Sequence, residues 1–190
     1  MNARQAAFHR QAASDWEVYC HFRPLGSAWR TALRRRWCAL VGVRPFSFPV
    51  CHELHYLQMC TEKLAKAYYP APPSGRISHN AFRQFLTHLP SNARAFKPLG
   101  FADLAGFTRW QLSVTTLVGA IEDLAPALAG NGPNPEYPWP RNAPTNAPAD
   151  HSFQNEIYNL LHAQTTGSKQ PFLVILGRMV ETMRSKAWHL

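Results

Sequence analysis

Acidic side chains are scarce in this chain of 190 residues. It has 11 Asp and Glu against 20 Lys and Arg, which gives a formal net charge of +9, and only 16% of all residues are charged. A basic balance of this kind favours an anionic partner, and nucleic acid is the commonest one. Net charge alone does not show that the charges cluster, so a merely basic surface remains the alternative.

Long apolar runs are absent as well. No window approaches the roughly 20 apolar residues that a membrane-spanning helix needs, and the first ten residues contain no apolar run typical of a signal peptide. We therefore expect no membrane association and a cytoplasmic location. The only cysteines, Cys20, Cys38, Cys51 and Cys60, form no CxxC pair, which is typical of reduced thiols in a reducing compartment.

The common catalytic and metal-binding motifs are missing. No G-x-S-x-G and no glycine-flanked phosphate loop occurs. His52 and His55 are three residues apart, whereas the zinc-protease pattern needs four. Cys51 and His55 have the four-residue spacing and Cys60 is near, but no further ligand follows at a recognisable spacing. We expect neither a metal nor a cofactor.

The apolar residues recur at helical intervals through most of the chain, which predicts an all-α fold. The predicted helices cover about 1–22, 28–41, 50–69, 79–89, 101–128, 152–163 and 171–188. In the first of them Ser14 and Asp15 fall mid-run, where the helix could break or restart. We expect a single domain with an N-terminal helical extension (1–47), core helices (48–128), a Pro-rich loop (129–150) and C-terminal helices (151–190). Tyr137 and Trp139 are expected to pin the loop to the body.

The most regular pattern is the helix predicted over 50–69. Leu54, Leu57 and Leu64 recur on one side of it, which predicts a core-facing stripe. Polar residues interleave with this stripe, namely Glu53, Gln58, Glu62, Lys63 and Lys66. The pattern therefore predicts a core helix with one face exposed or committed to a partner.

The densest positive charge lies in the helix predicted over 28–41. Its basic residues are Arg30, Arg34, Arg35 and Arg36. Trp29 and Trp37 lie beside them, so the segment could bind nucleic acid by stacking and phosphate pairing, or an acidic partner protein. The alternative is a Trp stripe that faces the core with a solvated Arg face behind it.

Three separated motifs occur in a fixed order. Cys51, His52, His55 and Gln58 precede the motif E-K-L-A-K-A at 62–67; Ser78-His79-Asn80 opens the next helix; Tyr137-Pro138 precedes a late helix. Together they resemble the HEPN superfamily, helical-bundle domains of bacterial toxin–antitoxin and defence systems, over about residues 48–185. The resemblance implies four core helices with short accessory helices, a homodimer or a partner protein, and RNA or a nucleotide as ligand. The residues it indicates for binding are His52, His55, Glu62, Lys63, Lys66, His79, Tyr137 and Arg141.

Many members of that superfamily are metal-independent ribonucleases in which four to six residues separate an Arg from a following His. Two matches occur here, Arg83 with His88 and Arg184 with His189. Neither lies in the expected place, and residues five apart on a helix are about 140° apart around its axis. Glu136 stands where the family has Arg before Tyr-Pro. We therefore expect a binding module for a partner protein, RNA or nucleotide without robust catalysis; the alternatives are a ribonuclease toxin and a helical scaffold subunit with no nucleic-acid role.

Overall fold

Five helices make up most of the described chain. The computed structural model describes residues 3–22, 50–68, 81–89, 96–125, 135–136, 148, 157, 159–161 and 170–182. The helices are α1 (Ala3–Phe22), α2 (Val50–Tyr68), α3 (Ala81–His88), α4 (Leu104–Glu122) and α5 (Phe172–Thr182). No β-strand occurs in these ranges, which confirms the predicted all-α class.

The helix pair α1–α2 is the most extensive contact among the five helices. α3 packs against α2 and α4, α4 also contacts α2, and α5 contacts α1. A buried polar contact reinforces the first pair, because the Tyr68 hydroxyl lies 3.0 Å from Nδ1 of His9. Burial raises the pKa of the Tyr68 hydroxyl, so this group stays protonated. The segment expected as an N-terminal extension therefore packs directly on the central helix.

The apolar stripe predicted for α2 forms the centre of the core. Leu54, Leu57 and Leu64 are each fully buried, and burial of one such side chain stabilises the fold by roughly 1.5–3 kcal/mol. Phe82 of α3 meets Phe172 of α5 edge-to-face, with ring centroids 6.4 Å apart. The periodicity of the sequence thus located the core face of this helix correctly.

The break considered at Ser14 and Asp15 does not occur. α1 runs unbroken from Ala3 to Phe22. Nε2 of Gln11 donates a 2.9 Å hydrogen bond to Oδ1 of Asp15 one turn later, so the carboxylate is engaged by a side chain of its own helix and does not compete for backbone N–H groups. Asp15 is only 4% exposed. Packing against the rest of the protein therefore overrides the weak helix propensity of this residue.

α4 begins later than the sequence pattern indicates. Its first residue is Leu104, and Asp103 caps it in extended conformation, with Oδ1 accepting a 2.6 Å hydrogen bond from the Gly106 N–H. A cap of this kind satisfies one of the free N–H groups of the first turn. The β-branched stretch within 114–118 is helical, as predicted.

A turn at 96–100 fastens α5 to the start of α4. Gly100 has φ +91°, a conformation that favours glycine. Nη1 of Arg178 donates to the Leu99 carbonyl at 2.8 Å, and Nε2 of Gln170 donates to the Gly100 carbonyl at 2.6 Å. Nε1 of Trp110 donates to the Gln170 carbonyl at 3.0 Å. Side-chain and backbone groups of several segments therefore fix this corner of the fold.

Several sequence predictions concern other parts of the chain. The helix predicted at 28–41 and the rings of Tyr137 and Trp139 lie outside the described residues, while Ile157 and residues 159–161 are helical within the helix predicted at 152–163. Over the ranges given above, no helix combines the length and the apolar character that crossing a membrane requires.

Candidate anion-binding face

One narrow strip of α2 remains open to solvent. The strip consists of His52, His55, Met59, Lys63 and Lys66, none of which is buried, and we call it the outward face of α2. At 100° per residue these five positions fall within a sector of about 80°. Four of the five side chains carry or can acquire a positive charge. Four of the residues that the sequence indicated for binding thus share one face.

Lys66 is held by buried neighbours on its own helix. Its Nζ donates to Oε1 of Glu62, and Nε2 of Gln58 donates to Oε2 of the same carboxylate at 2.8 Å. Glu62 is 5% exposed and Gln58 is 2% exposed. Glu62 therefore lies beneath the outward face, where its carboxylate orients Lys66. The basic side chains of α2 lie at the surface of this face.

His55 meets a carboxylate from a distant part of the sequence. Its Nδ1 lies 3.2 Å from Oε1 of Glu136. Nδ1 makes no hydrogen bond, so the imidazole and the carboxylate lie close together without the alignment that a hydrogen bond needs. The ring of His55 also lies edge-on to Tyr56, with centroids 5.4 Å apart. The 135–136 segment therefore touches the outward face at His55.

The ammonium group of Lys63 is placed to contact a ligand. Its Nζ lies 3.8 Å from Sδ of Met59. Within the described part of the chain, no carboxylate oxygen pairs with this ammonium group within 4 Å. A lysine in this position can approach an anion without first breaking an ion pair.

A buried carboxylate lies behind the face. Asp15 of α1 is buried, and its Oδ2 has no hydrogen-bond partner. Burial raises the pKa of Asp15, while the hydrogen bond from Gln11 and the positive charges of Lys63 and His55 act in the opposite direction. These electrostatic effects place Asp15 in the neighbourhood of both basic residues.

Cys60 of α2 offers no reactive thiol behind the outward face. Cys60 is fully buried, and burial raises its pKa well above the ordinary value, with the negative charge of Asp15 adding to the effect. Thiolates are the reactive form of cysteine, and this environment suppresses thiolate formation. Cys60 is therefore a packing residue.

Comparison with protein families, with curated protein sequences and with solved structures finds no match for this chain.

The arginine and histidine of the first ribonuclease-type match are both placed on α3. Arg83 and His88 are exposed, near the start and at the end of the helix respectively. Nε of Arg83 lies 3.4 Å from Oε2 of Glu122, and the guanidinium lies over Gly119 of α4. The arginine therefore contacts α4, and its separation of five residues from His88 puts the two on different sides of α3.

The remaining residues indicated by the sequence lie outside the described ranges. These are Arg30, Arg34, Arg35, Arg36, His79, Tyr137, Arg141, Arg184 and His189. In the part of the chain that the structure does describe, no three His, Cys, Asp or Glu side chains come together in a group that could hold a metal ion.

Two residues of the site were not among those the sequence indicated. Asp15 was interpreted as a helix-breaking residue, although Gln11 and Asp15 have the four-residue spacing that lets an amide and a carboxylate bond along a helix. Glu136 was noticed only as a departure from the Arg of the HEPN pattern. Nothing in the local sequence signals its contact with His55, which the tertiary fold creates.

Proposed function

We propose that this protein is a binding module for single-stranded RNA and that the outward face of α2 is its contact surface. The observation that carries the proposal is the alignment of His52, His55, Lys63 and Lys66 on one open strip, with the ammonium group of Lys63 available for a phosphate. Phosphate contacts from basic side chains supply most of the affinity of sequence-independent nucleic-acid binding.

The distribution of acidic residues supports an anionic ligand. Of the 11 Asp and Glu in the chain, at least four are buried: Asp15, Glu53, Glu62 and Glu122. A buried carboxylate does not lie on the surface that a ligand touches, so it does not come into direct contact with an approaching phosphate. Fewer acidic groups can therefore repel a phosphate at close range than the composition indicates.

The length of the face favours a polymer over a single nucleotide. His52 and Lys66 are 14 residues apart, which corresponds to about 21 Å along a helix that rises 1.5 Å per residue. Several successive phosphates of one strand can contact such a strip, and Met59 and Tyr56 offer apolar surface for bases between them. If RNA does not bind, an acidic partner protein or a mononucleotide becomes the ligand to test.

The wider setting is also a proposal. We propose a HEPN-type bundle with four core helices, acting as a dimer or with a partner protein in a bacterial defence or toxin–antitoxin system. The all-helical fold is compatible with this relationship. We propose binding without robust catalysis, because the Arg83 guanidinium is paired with Glu122 and His88 lies on another side of α3. A cytoplasmic location belongs to the same proposal.

Fluorescence anisotropy with a fluorescein-labelled single-stranded RNA of mixed sequence tests the function. We expect binding at low salt that weakens as salt rises. Lys63→Gln removes one phosphate contact, so it should lower the slope of log K against log salt by about 0.7. Lys97→Gln, an exposed lysine of the 96–100 turn, makes the same change of charge away from the face and should leave binding close to wild type. The proposal fails if RNA does not bind at low salt, or if the two variants weaken binding equally.

A further inference from the structure

The contact between His55 and Glu136 puts a carboxylate on a face that is otherwise basic. Nδ1 and Oε1 are 3.2 Å apart, and the two side chains are 25% and 24% exposed. The two side chains are therefore partly exposed, while Nδ1 of His55 itself is covered. A carboxylate and a phosphate both present negatively charged oxygen atoms to a basic side chain, so Glu136 occupies a position that suits a phosphate of a ligand.

The geometry of the His55 contact favours displacement of this carboxylate by the phosphate of a ligand. The contact is not aligned as a hydrogen bond, and partly exposed ion pairs contribute little to stability. Pro135, the preceding residue, is buried, whereas the side chain of Glu136 is partly exposed. A change of side-chain rotamer is enough to move a glutamate carboxylate away from its contact.

Three charged groups of the described residues lie near the subsite. Asp15 from α1 and Glu136 are the acidic groups that face His55, and Lys63 lies two turns further along α2. Asp15 is buried and cannot move to the surface, whereas Glu136 lies at it. Among the described residues, Glu136 is therefore the acidic group that can both block the subsite and leave it.

We propose that Glu136 acts as an intramolecular competitor of the RNA. Its carboxylate occupies the subsite at His55, and a phosphate group of the RNA occupies the same subsite in the complex. The proposal rests on the function proposed above and adds to it a definite subsite and a residue that sets its affinity. RNA binding at His55 then requires displacement of Glu136, and removal of the charge of Glu136 strengthens binding.

The test compares Glu136→Gln with wild type, using the labelled RNA and low-salt buffer already described. Glutamine keeps the size of the side chain and removes its charge. We expect affinity to rise by about fivefold, the scale of one partly exposed charge contact. Glu17→Gln serves as the matched control, because Glu17 is exposed and lies two residues from Asp15, hence on the opposite side of α1. The RNA affinity of Glu17→Gln should rise less than about twofold, which is the effect of a remote surface charge.

A double-variant comparison separates competition at His55 from a general change of charge. In a His55→Gln background, Glu136→Gln should no longer strengthen binding, because the subsite that Glu136 occupied has been removed. If the fivefold gain persists in that background, or if Glu17→Gln produces the same gain, the competitor role is refuted. Thermal melts of all variants verify that each is folded.

The outcome also distinguishes this proposal from the function on which it rests. If wild type binds RNA and Lys63→Gln weakens binding while Glu136→Gln has no effect, the RNA-binding function stands and the competitor role fails. If neither wild type nor Glu136→Gln binds RNA at low salt, both fail.

Discussion

Oε1 of Glu122, on α4, accepts a 2.7 Å hydrogen bond from the backbone N–H of Arg83, in the first turn of α3. The first N–H groups of a helix have no partner within the helix, and Glu122 supplies one from a different element. The side chain of Glu122 is 3% exposed, and Nε of Arg83 adds an ion-pair contact at 3.4 Å. Glu122 of α4 thereby caps the first turn of α3, and its carboxylate links the two helices.

We predict that Glu122→Ala lowers the free energy of unfolding by about 1–3 kcal/mol, because it leaves the partly buried N–H of Arg83 without its acceptor. Glu122→Gln should cost less. Its amide oxygen can still accept the hydrogen bond, and burial already raises the pKa of Glu122, which shows that the charged form is penalised. Urea denaturation measures both effects. Glu181→Ala, at an exposed position on α5, should change stability by less than about 0.5 kcal/mol; an equal loss in Glu122→Ala and Glu181→Ala would contradict the capping role.

Asp15 gives the protein a pH-dependent stability with a definite sign. Burial raises the pKa of Asp15 above its unfolded value, so its contribution to stability is fully present below the unfolded pKa and is lost as pH rises through the folded pKa. The amide of an asparagine at the same position has no such titration. We therefore predict that Asp15→Asn gains stability relative to wild type between about pH 3 and about pH 7.

Urea denaturation of wild type and Asp15→Asn across that pH range checks the sign. At neutral pH the variant should be the more stable by on the order of 1 kcal/mol, because a buried oxygen without a partner is no longer charged. Asp123→Asn, at an exposed position, controls for the change in net charge. If the stability of wild type instead increases relative to that of Asp15→Asn as pH rises, the predicted sign is contradicted.

Within the described part of the chain, local pattern was enough to predict the helices and most of the core. The spacing of Leu54, Leu57 and Leu64 is a property of one helix, so the side that faces the core can be identified without knowing what packs there. The same reasoning gave the wrong expectation at Asp15, where a residue of low helix propensity is held by tertiary packing. Propensity describes an isolated helix, and α1 is not isolated.

The candidate site was predictable only in part, for a related reason. His52, His55, Lys63 and Lys66 share a face because they lie on one helix, and their spacing shows it. Glu62 has nearly the same helical position as His55 and Lys66, yet it is buried, because α2 is covered on most of its circumference. The contact of His55 with Glu136 joins segments far apart in the chain, and a single sequence carries no signal for such a pair.

Gly100 should tolerate substitution poorly. Its φ of +91° disfavours any L side chain, and a Cβ built there would lie 2.2 Å from Nη1 of Arg178. That guanidinium donates to the Leu99 carbonyl, so it cannot move without loss of the hydrogen bond. We predict that Gly100→Ala destabilises the protein by about 1–3 kcal/mol.

Thermal melts or urea denaturation measure this cost against Gly106→Ala. A Cβ at Gly106 would lie 3.2 Å from Oδ1 of Asp103, so this capping carboxylate would have to move by only a few tenths of an ångström, and alanine is the better helix former. The change at Gly106 should therefore be much smaller. Equal losses in the two variants would show that the turn at 96–100 is not constrained as described.

Lysine acetylation footprinting, read by mass spectrometry with and without bound single-stranded RNA, tests the outward face of α2 most directly. Lys63 should be protected from acetylation when RNA is bound, because its ammonium group contacts phosphate. Lys97, exposed in the turn at 96–100, should be acetylated to the same extent in both samples. RNA that binds without protecting Lys63, or that protects Lys97 instead, would contradict the assignment of this face.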